Sequence, residues 1–593
     1  MAIKLRQEDH VALTAEQKEK ADIVNAANQA IKKSMQGEDF IGKAVVFHNG
    51  RKGTIIAQRP PMCFVLCEFG EWDEQVNENE VQEEAISILG MRSTVAVSAS
   101  LFGTIVDCYG NPMDGSEGST SKANDAVDRA IFAPIPKVSD IALINSPVLF
   151  GTAMVDALAP IGKGQNMLII GQDTGTGVGQ RDLVIGAVKT QVQQTNGAKC
   201  VYAITSQKKS VRDNVIQQLK DAGVLDDIVV VAARDLGEKE MDSMDATAAA
   251  EAITVAATAC SIGEALALAG GEDTLVIVDD IDQHKAFWDW TTRVLVDVYG
   301  VDAVVRDDLS GGASSEMRGF YSSLIQRAAR FNKKNGGGSM TLTLLTNLKG
   351  QFGDVDGGDT SVFSPDEFAE SSEKIKQRIA ILVNKNIPLT HENLRKIQIP
   401  LPDASESEKQ RRIALQHSDD LISMSDGQIW LDETLYANGQ RPAMDPQRSV
   451  TRIGIGADTT SRADAPAMRG LAGGLRFDFA QANSLEGAGA NSGADKQILK
   501  KQAYLLAMHQ EGAEVRTLSE NCVVLLAASL GVFGETLRQG GTAGTTLGQD
   551  TIKELIHHVK TSAPDAMAEI DESLDLSESV RKELETIIKV HFS

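Results

Sequence analysis

The chain has 593 residues, 42% of them hydrophobic and 24% charged, and a formal net charge of −24. It is too long for one core, so several domains are expected. So acidic a surface repels phosphate backbones, which argues against a nucleic-acid partner.

Six cysteines are scattered along the sequence. Cys63 and Cys67 are close, but no second Cys/His pair completes a zinc set, so buried reduced thiols are expected. No apolar run reads as the roughly 18–20 residues that a membrane span needs. The opening stretch, MAIKLRQEDHVALTAEQKEK, has no apolar signal core and lacks the acid-poor composition of a transit peptide.

Residues 1–40 read as an amphipathic helical arm, with Ala21, Ile23, Val24, Ala27 and Ile31 interrupting charge. Residues 41–100 switch to period two, and His48-Asn49-Gly50-Arg51 is a hairpin turn signal. Several short strands in that span predict a small closed β-barrel. From 101 to 485 the pattern is α/β. QNMLII, AKCVYAIT, DIVVVAA, DTLVIVDD and MTLTLLT are strand-like runs separated by helical stretches. That alternation predicts a parallel sheet with helices on both faces. Residues 356–417 break the rhythm as a polar insertion with one strand-like piece, RIAILVNKNIPL. A small-residue stretch, NSLEGAGANSGAD, leads to a helical region over 490–593, where Val580, Leu584, Ile587 and Ile588 share a face.

The segment from Gly171 to Asp182, GQDTGTGVGQRD, lies between a strand pattern and a helical one. Strand, glycine loop and helix make a phosphate-binding loop, which normally ends Gly-Lys-Ser/Thr. In the ungapped register Thr176, Gly177 and Val178 take the last three places. In the preferred, longer register Gly179 is the last glycine, Gln180 stands for the lysine and Arg181 for the hydroxyl residue. Either way the ammonium that offsets phosphate charge and the hydroxyl that holds magnesium are missing. Gly171, Gly175, Gly177 and Gly179 can still curl N–H groups around an anion, and Arg181 can add charge. A vestigial structural turn is the plainer alternative. About 100 residues on, TLVIVDDI ends in Asp279, placed where a strand-end carboxylate holds magnesium through water.

Together these stretches resemble the α (non-catalytic) subunit of the rotary F-type ATP synthase. The resemblance rests on VVFHNGRKGTIIAQRPPMCFVLCEFG, LFGTIVDCYGNPMDG, GTAMVDALAPIGKGQNMLIIG, AITSQKKS, ACSIGEAL, VIVDDI, FYSSLIQRAARFNKKNGGGSMT and SMSDGQIWLDETLYANGQRPAMDPQRSVTRIG, in family order. It implies a multi-domain fold: an N-terminal β-barrel, a central RecA-like α/β nucleotide-binding domain and a C-terminal α-helical bundle. It implies a hetero-hexameric ring with β-type subunits around a central stalk, with the membrane reached only through partner subunits. The site would be peripheral to an energy-transducing membrane, the mitochondrial inner membrane or the thylakoid if a presequence is missing.

The resemblance places Gln207 where catalytic β subunits carry a glutamate. It makes Arg452, in SVTRIG, an arginine offered across the interface to a transferred phosphoryl group. It implies ATP or ADP as ligand, weakened here by the lost lysine, with Asp279 short of a magnesium to hold. LSGGASSEMRGFY and the insertion depart from the family pattern. No ATPase activity is expected of the isolated chain. A pseudo-subunit acting as scaffold or regulator is the alternative. A nucleic-acid motor of similar fold is disfavoured by charge.

Overall fold

The computed structural model describes residues 2–4, 39–47, 52–59, 62–67, 86–113, 126–171, 178–234, 246–299, 312–347, 421–452, 464–486 and 492–593, with scattered positions from 364 to 389. Near the start, β1 (Ala2–Lys4), β2 (Lys43–Phe47), β3 (Lys52–Arg59), β4 (Met62–Cys67) and β5 (Ile86–Arg92) form an antiparallel sheet in the order β1-β4-β3-β2-β5. Val46 pairs with Lys52, so β2 and β3 are the arms of the expected hairpin. Its turn, His48 to Arg51, lies outside the described residues. Two expectations change. The sheet is open among the described residues, because β1 and β5 are both edges, whereas a closed barrel was expected. The first residues are a strand and not a helix: Ala2–Lys4 pairs with β4 and satisfies backbone groups along that edge. Ala21 to Ile31 lie outside the described residues.

The central sheet contains β6 (Ile105–Val106), β7 (Asn166–Gly171), β8 (Lys199–Ile204), β9 (Val229–Ala232), β10 (Asp273–Val278), β11 (Ser339–Asn347), β12 (Gly427–Trp430) and β13 (Val450–Thr451). Their order is β13-β12-β7-β11-β10-β8-β9-β6. The pairs from β12 through β6 are parallel, and β13 is antiparallel to β12. The five runs expected to be strands are β7 to β11. Side chains alternate across the sheet, so Met167 and Ile169 join one core while Leu168 and Ile170 join the other.

Three helices of this region matter for the site: α1 (Gln180–Gln193), α2 (Ala246–Ala269) and α3 (Asp282–Tyr299). α1 covers the first face through Leu183, Val184, Ala187 and Val188. α2 covers the second, packed against β8, β10 and β11. Residues Ala248–Ala269 of α2 are long and apolar enough to cross a membrane by length and composition, which corrects the expectation that no run is. Most of this stretch is buried inside the protein. Its small residues serve close packing: a Cβ on Gly263 would meet Val276 Cγ2 at 2.6 Å. The N-terminal sheet docks on α3, where Phe64 meets Phe287 and Trp290 edge-on and Arg59 donates to the Thr291 and Thr292 hydroxyls.

The first face is completed by α4 (Pro466–Ala472), α5 (Leu475–Glu486), α6 (Ser492–Met508), α7 (Leu518–Leu530), α8 (Thr546–Ser562), α9 (Pro564–Ser573) and α10 (Glu578–His591). α7 is almost wholly buried and begins with a Thr517/Glu520 capping box. Val580, Leu584 and Ile588 of α10 face inward, with Ile587 partly covered. The small-residue stretch is largely helical: α5 runs into it as far as Glu486 and α6 leaves it from Ser492. Within the insertion, Ile379, Ala380 and Val383 are helical where a strand was expected, and most of 356–417 lies outside the described residues.

Glu264 of α2 is fully buried between two arginines. Its Oε1 accepts from Arg327 Nε at 2.6 Å, and its Oε2 accepts from Arg129 Nε and Nη2 at 2.9 and 2.6 Å. Arg327 also donates to the Ile131 and Ala257 carbonyls and to Ser261 Oγ. Removing the carboxylate charge strands a buried guanidinium, whereas half-buried helical pairs such as Arg581–Glu585 contribute little. Glu264→Gln should therefore lower the unfolding free energy by about 3–5 kcal/mol, read from urea midpoints. Glu585→Gln should cost about 0.5 kcal/mol or less.

Candidate functional site

Parallel strands deliver their following loops to one end of the sheet, and the candidate residues gather there. β7 ends at Gly171, and α1 begins at Gln180 after Gly179, whose φ of 90° a side chain would resist. The helix therefore starts where the longer loop register places it. Gly175 and Gly177 lie outside the described residues. Gln180 turns inward: its Nε2 donates to the Thr346 carbonyl at 3.1 Å and to Asn347 Oδ1 at 3.0 Å, at the end of β11. A Cβ on Gly171 would lie 2.4 Å from Gln180 Cδ, so that glycine makes room for the amide. Gln180 thus ties α1 to the sheet.

Arg181 pairs with Asp279 across the end of the sheet. Its Nε donates to Oδ1 and its Nη2 to Oδ2, both at 3.1 Å. Tyr202 Oη donates to the same Oδ1 at 3.2 Å. The Asp279 side chain is 2% exposed and that of Arg181 32%. Burial opposes the charge on Arg181, but the Asp279 carboxylate outweighs it and holds the guanidinium above its ordinary pKa.

The neighbouring carboxyls are also engaged. Asp282 accepts from Thr346 Oγ1 at 2.6 Å and from the Asn347 amide at 2.8 Å. Asp280 accepts from the Asp282 amide, and burial with the nearby Asp282 charge pushes it up to about 7. A magnesium ion at this strand end needs a carboxylate oxygen reachable by the ion or its water. Asp279 offers both oxygens to Arg181 instead. The described residues do not fit the ion.

The resemblance also drew in Gln207, just past the end of β8. Its amide is engaged by α2, donating to the Ala248 carbonyl at 3.1 Å and to Glu251 Oε2 at 2.9 Å. Glu251 is a buried acid that sequence reasoning missed. Its Oε1 accepts from the Arg234 amide at 3.0 Å, and the Arg234 side chain is paired with Asp107. Burial raises Glu251 to about 7 in spite of these donors. Its one sequence signal was a lone carboxylate in the run ATAAAEAITVAATACS.

Arg452 is not brought to this site. β13 pairs with the beginning of β12, Gly427 opposite Thr451, and Leu168 near the start of β7 pairs with Gln428. Arg452 therefore follows β13 at the amino end of the parallel strands, opposite the phosphate loop. It is exposed, and its amide donates to the Asp426 carbonyl at 2.7 Å.

The pattern described as "ATP synthase alpha/beta family, nucleotide-binding domain" matches residues 151–289, which contain the loop, Gln207 and Asp279. ATP synthase subunit alpha of Dictyoglomus thermophilum is 25% identical over 563 residues, covering 94% of this chain and 89% of the relative. The Haemophilus ducreyi protein of the same name is 27% identical over 515 residues, covering 84% and 80%. That of Rickettsia bellii is 27% identical over 448 residues, covering 75% and 69%. The chain resembles ATP synthase α subunits. The likeness of this α-subunit-like chain runs over most of its length and includes the nucleotide-binding part.

The buried acid gives a pH signature. Glu251 holds its proton in the folded chain up to about 7, whereas the unfolded chain releases it near the ordinary 4.5. The stability tied to the protonated form is fully present below 4.5 and is lost as pH rises through 7. Asp156, also raised to about 7 by burial, adds to the same slope. The melting temperature should fall between pH 5 and 7 by roughly the decrement this linkage sets and then flatten. Glu251→Gln should make that decline shallower; an unchanged slope contradicts the assignment.

Proposed function

We propose that this chain is a non-catalytic, α-type subunit of a rotary ATP synthase ring. It packs between β-type subunits around a central stalk, and reaches an energy-transducing membrane only through its partners. The ring divides the chain into an arm (1–40), a β-domain (41–100), a RecA-like domain (101–485) with its insertion, and a helical bundle (490–593). Arg452 is the arginine it offers across the interface, where a guanidinium stabilises charge spreading over a transferred phosphoryl group. One observation carries this reading: Arg452 is exposed at the end of the sheet away from the chain's own loop, so it serves a neighbour's site. The chain's own loop holds ATP or ADP weakly or not at all, because Gln180 is turned into the sheet and Arg181 is paired with Asp279.

A scaffold or regulator outside the standard enzyme is the second reading, favoured by the same sealed carboxylate. Affinity purification of the tagged chain from its source cell, followed by size separation, distinguishes the two. The ring reading expects co-elution with a β-type subunit at several hundred kilodaltons. Within that ring, Arg452→Ala should lower ATPase turnover by about 10²–10³-fold without dissociating it, the scale of losing one transition-state donor. The isolated chain should show no turnover. Elution without a β-type partner rejects the ring reading.

A further inference from the structure

We propose that the Arg181 guanidinium is this chain's built-in replacement for a divalent cation at Asp279, so that this carboxylate holds no metal with or without a nucleoside polyphosphate. The inference rests on the Arg181–Asp279 pair and its described neighbours. It does not require ring membership, which the co-elution experiment tests separately.

A carboxylate oxygen accepts about two hydrogen bonds. Oδ1 of Asp279 takes one from Arg181 Nε and one from Tyr202 Oη, and is filled. Oδ2 takes Arg181 Nη2, and with the side chain 2% exposed its remaining lone pair faces no bulk water. A hydrated ion bound through that carboxylate must displace the guanidinium or sit beside it. Displacement leaves Arg181 without its partner, and adjacency sets like charges against each other. Magnesium also dehydrates reluctantly and needs near-octahedral oxygen ligands. The usual loop hydroxyl is absent because its place is Arg181 itself.

The other acids do not make up the loss. Asp282 is committed to Thr346 and Asn347. Asp280 is raised by burial and by the Asp282 charge, and accepts from the Asp282 amide and from Gln283. Positive charge at the loop is supplied by Arg181 alone among its described residues, Gly171 and Val178 to Asp182. The bidentate pair uses two of the five guanidinium N–H groups, so the same side chain retains donors for a phosphate oxygen. One arginine thus takes the place of the metal at Asp279.

The test uses the full chain with two probes: Mn2+ followed by electron paramagnetic resonance, and a trinitrophenyl analogue of ATP followed by fluorescence in EDTA or in magnesium. The wild type should bind no Mn2+ that Asp279→Asn removes, and magnesium should not tighten its analogue binding. Arg181→Thr should gain one Mn2+ that Arg181→Thr combined with Asp279→Asn loses again. Its analogue binding should become at least tenfold tighter in magnesium than in EDTA. A wild-type Mn2+ site lost in Asp279→Asn overturns the proposal, as does a tenfold magnesium enhancement in the wild type or a folded Arg181→Thr that gains no metal. If Arg181→Thr does not fold, the comparison of wild type with Asp279→Asn decides alone. If the wild type binds no analogue, the Mn2+ measurement decides.

Discussion

A parallel sheet whose strands are apolar on both sides must be covered on both sides, and the rest of this structure depends on that constraint. Met167, Ile169, Tyr202 and Ile277 point to one core, while Leu168, Ile170, Val201 and Val276 point to the other. Each such side chain contributes about 1.5–3 kcal/mol by leaving water. Covering both faces recruits distant segments. α1 and the C-terminal helices close one side, and α2 with the N-terminal sheet closes the other. With the faces sealed, polar chemistry is confined largely to the strand ends.

Charges at or near those ends must be neutralised by the protein. Glu264 is shared by Arg129 and Arg327, Asp279 is held by Arg181, and Asp107 is paired with Arg234. The first lies deep and serves the architecture. The second closes the carboxylate at the end of β10 with an internal ion pair. Glu251 is met by amides from Arg234 and Gln207, and burial holds its proton to a higher pH in spite of them.

Gln180 joins the helix to the end of the sheet. A lysine there would extend its ammonium toward phosphate. The glutamine amide instead finds two acceptors at the end of β11 and tightens the junction of loop, helix and sheet. The packing of α1 on the sheet and recognition of phosphate are separate energetic contributions. The first can persist as the second declines.

Local pattern in the sequence determined the five parallel strands β7 to β11, the helix after Gly179 and the inward face of α10, because apolar periodicity is written residue by residue. It also marked Gly171, Gly179, Gln180, Arg181 and Asp279 as one candidate site through motif spacing. The pairing of Arg181 with Asp279 was decided only by the tertiary structure, since the two stand 98 residues apart in the chain and meet through strand order. The same is true of Glu251 beneath Gln207, of the strand at Ala2–Lys4, and of the burial that makes apolar α2 a core helix. Contacts between distant segments depend on how the sheet is ordered and covered, and no local window of residues contains that information.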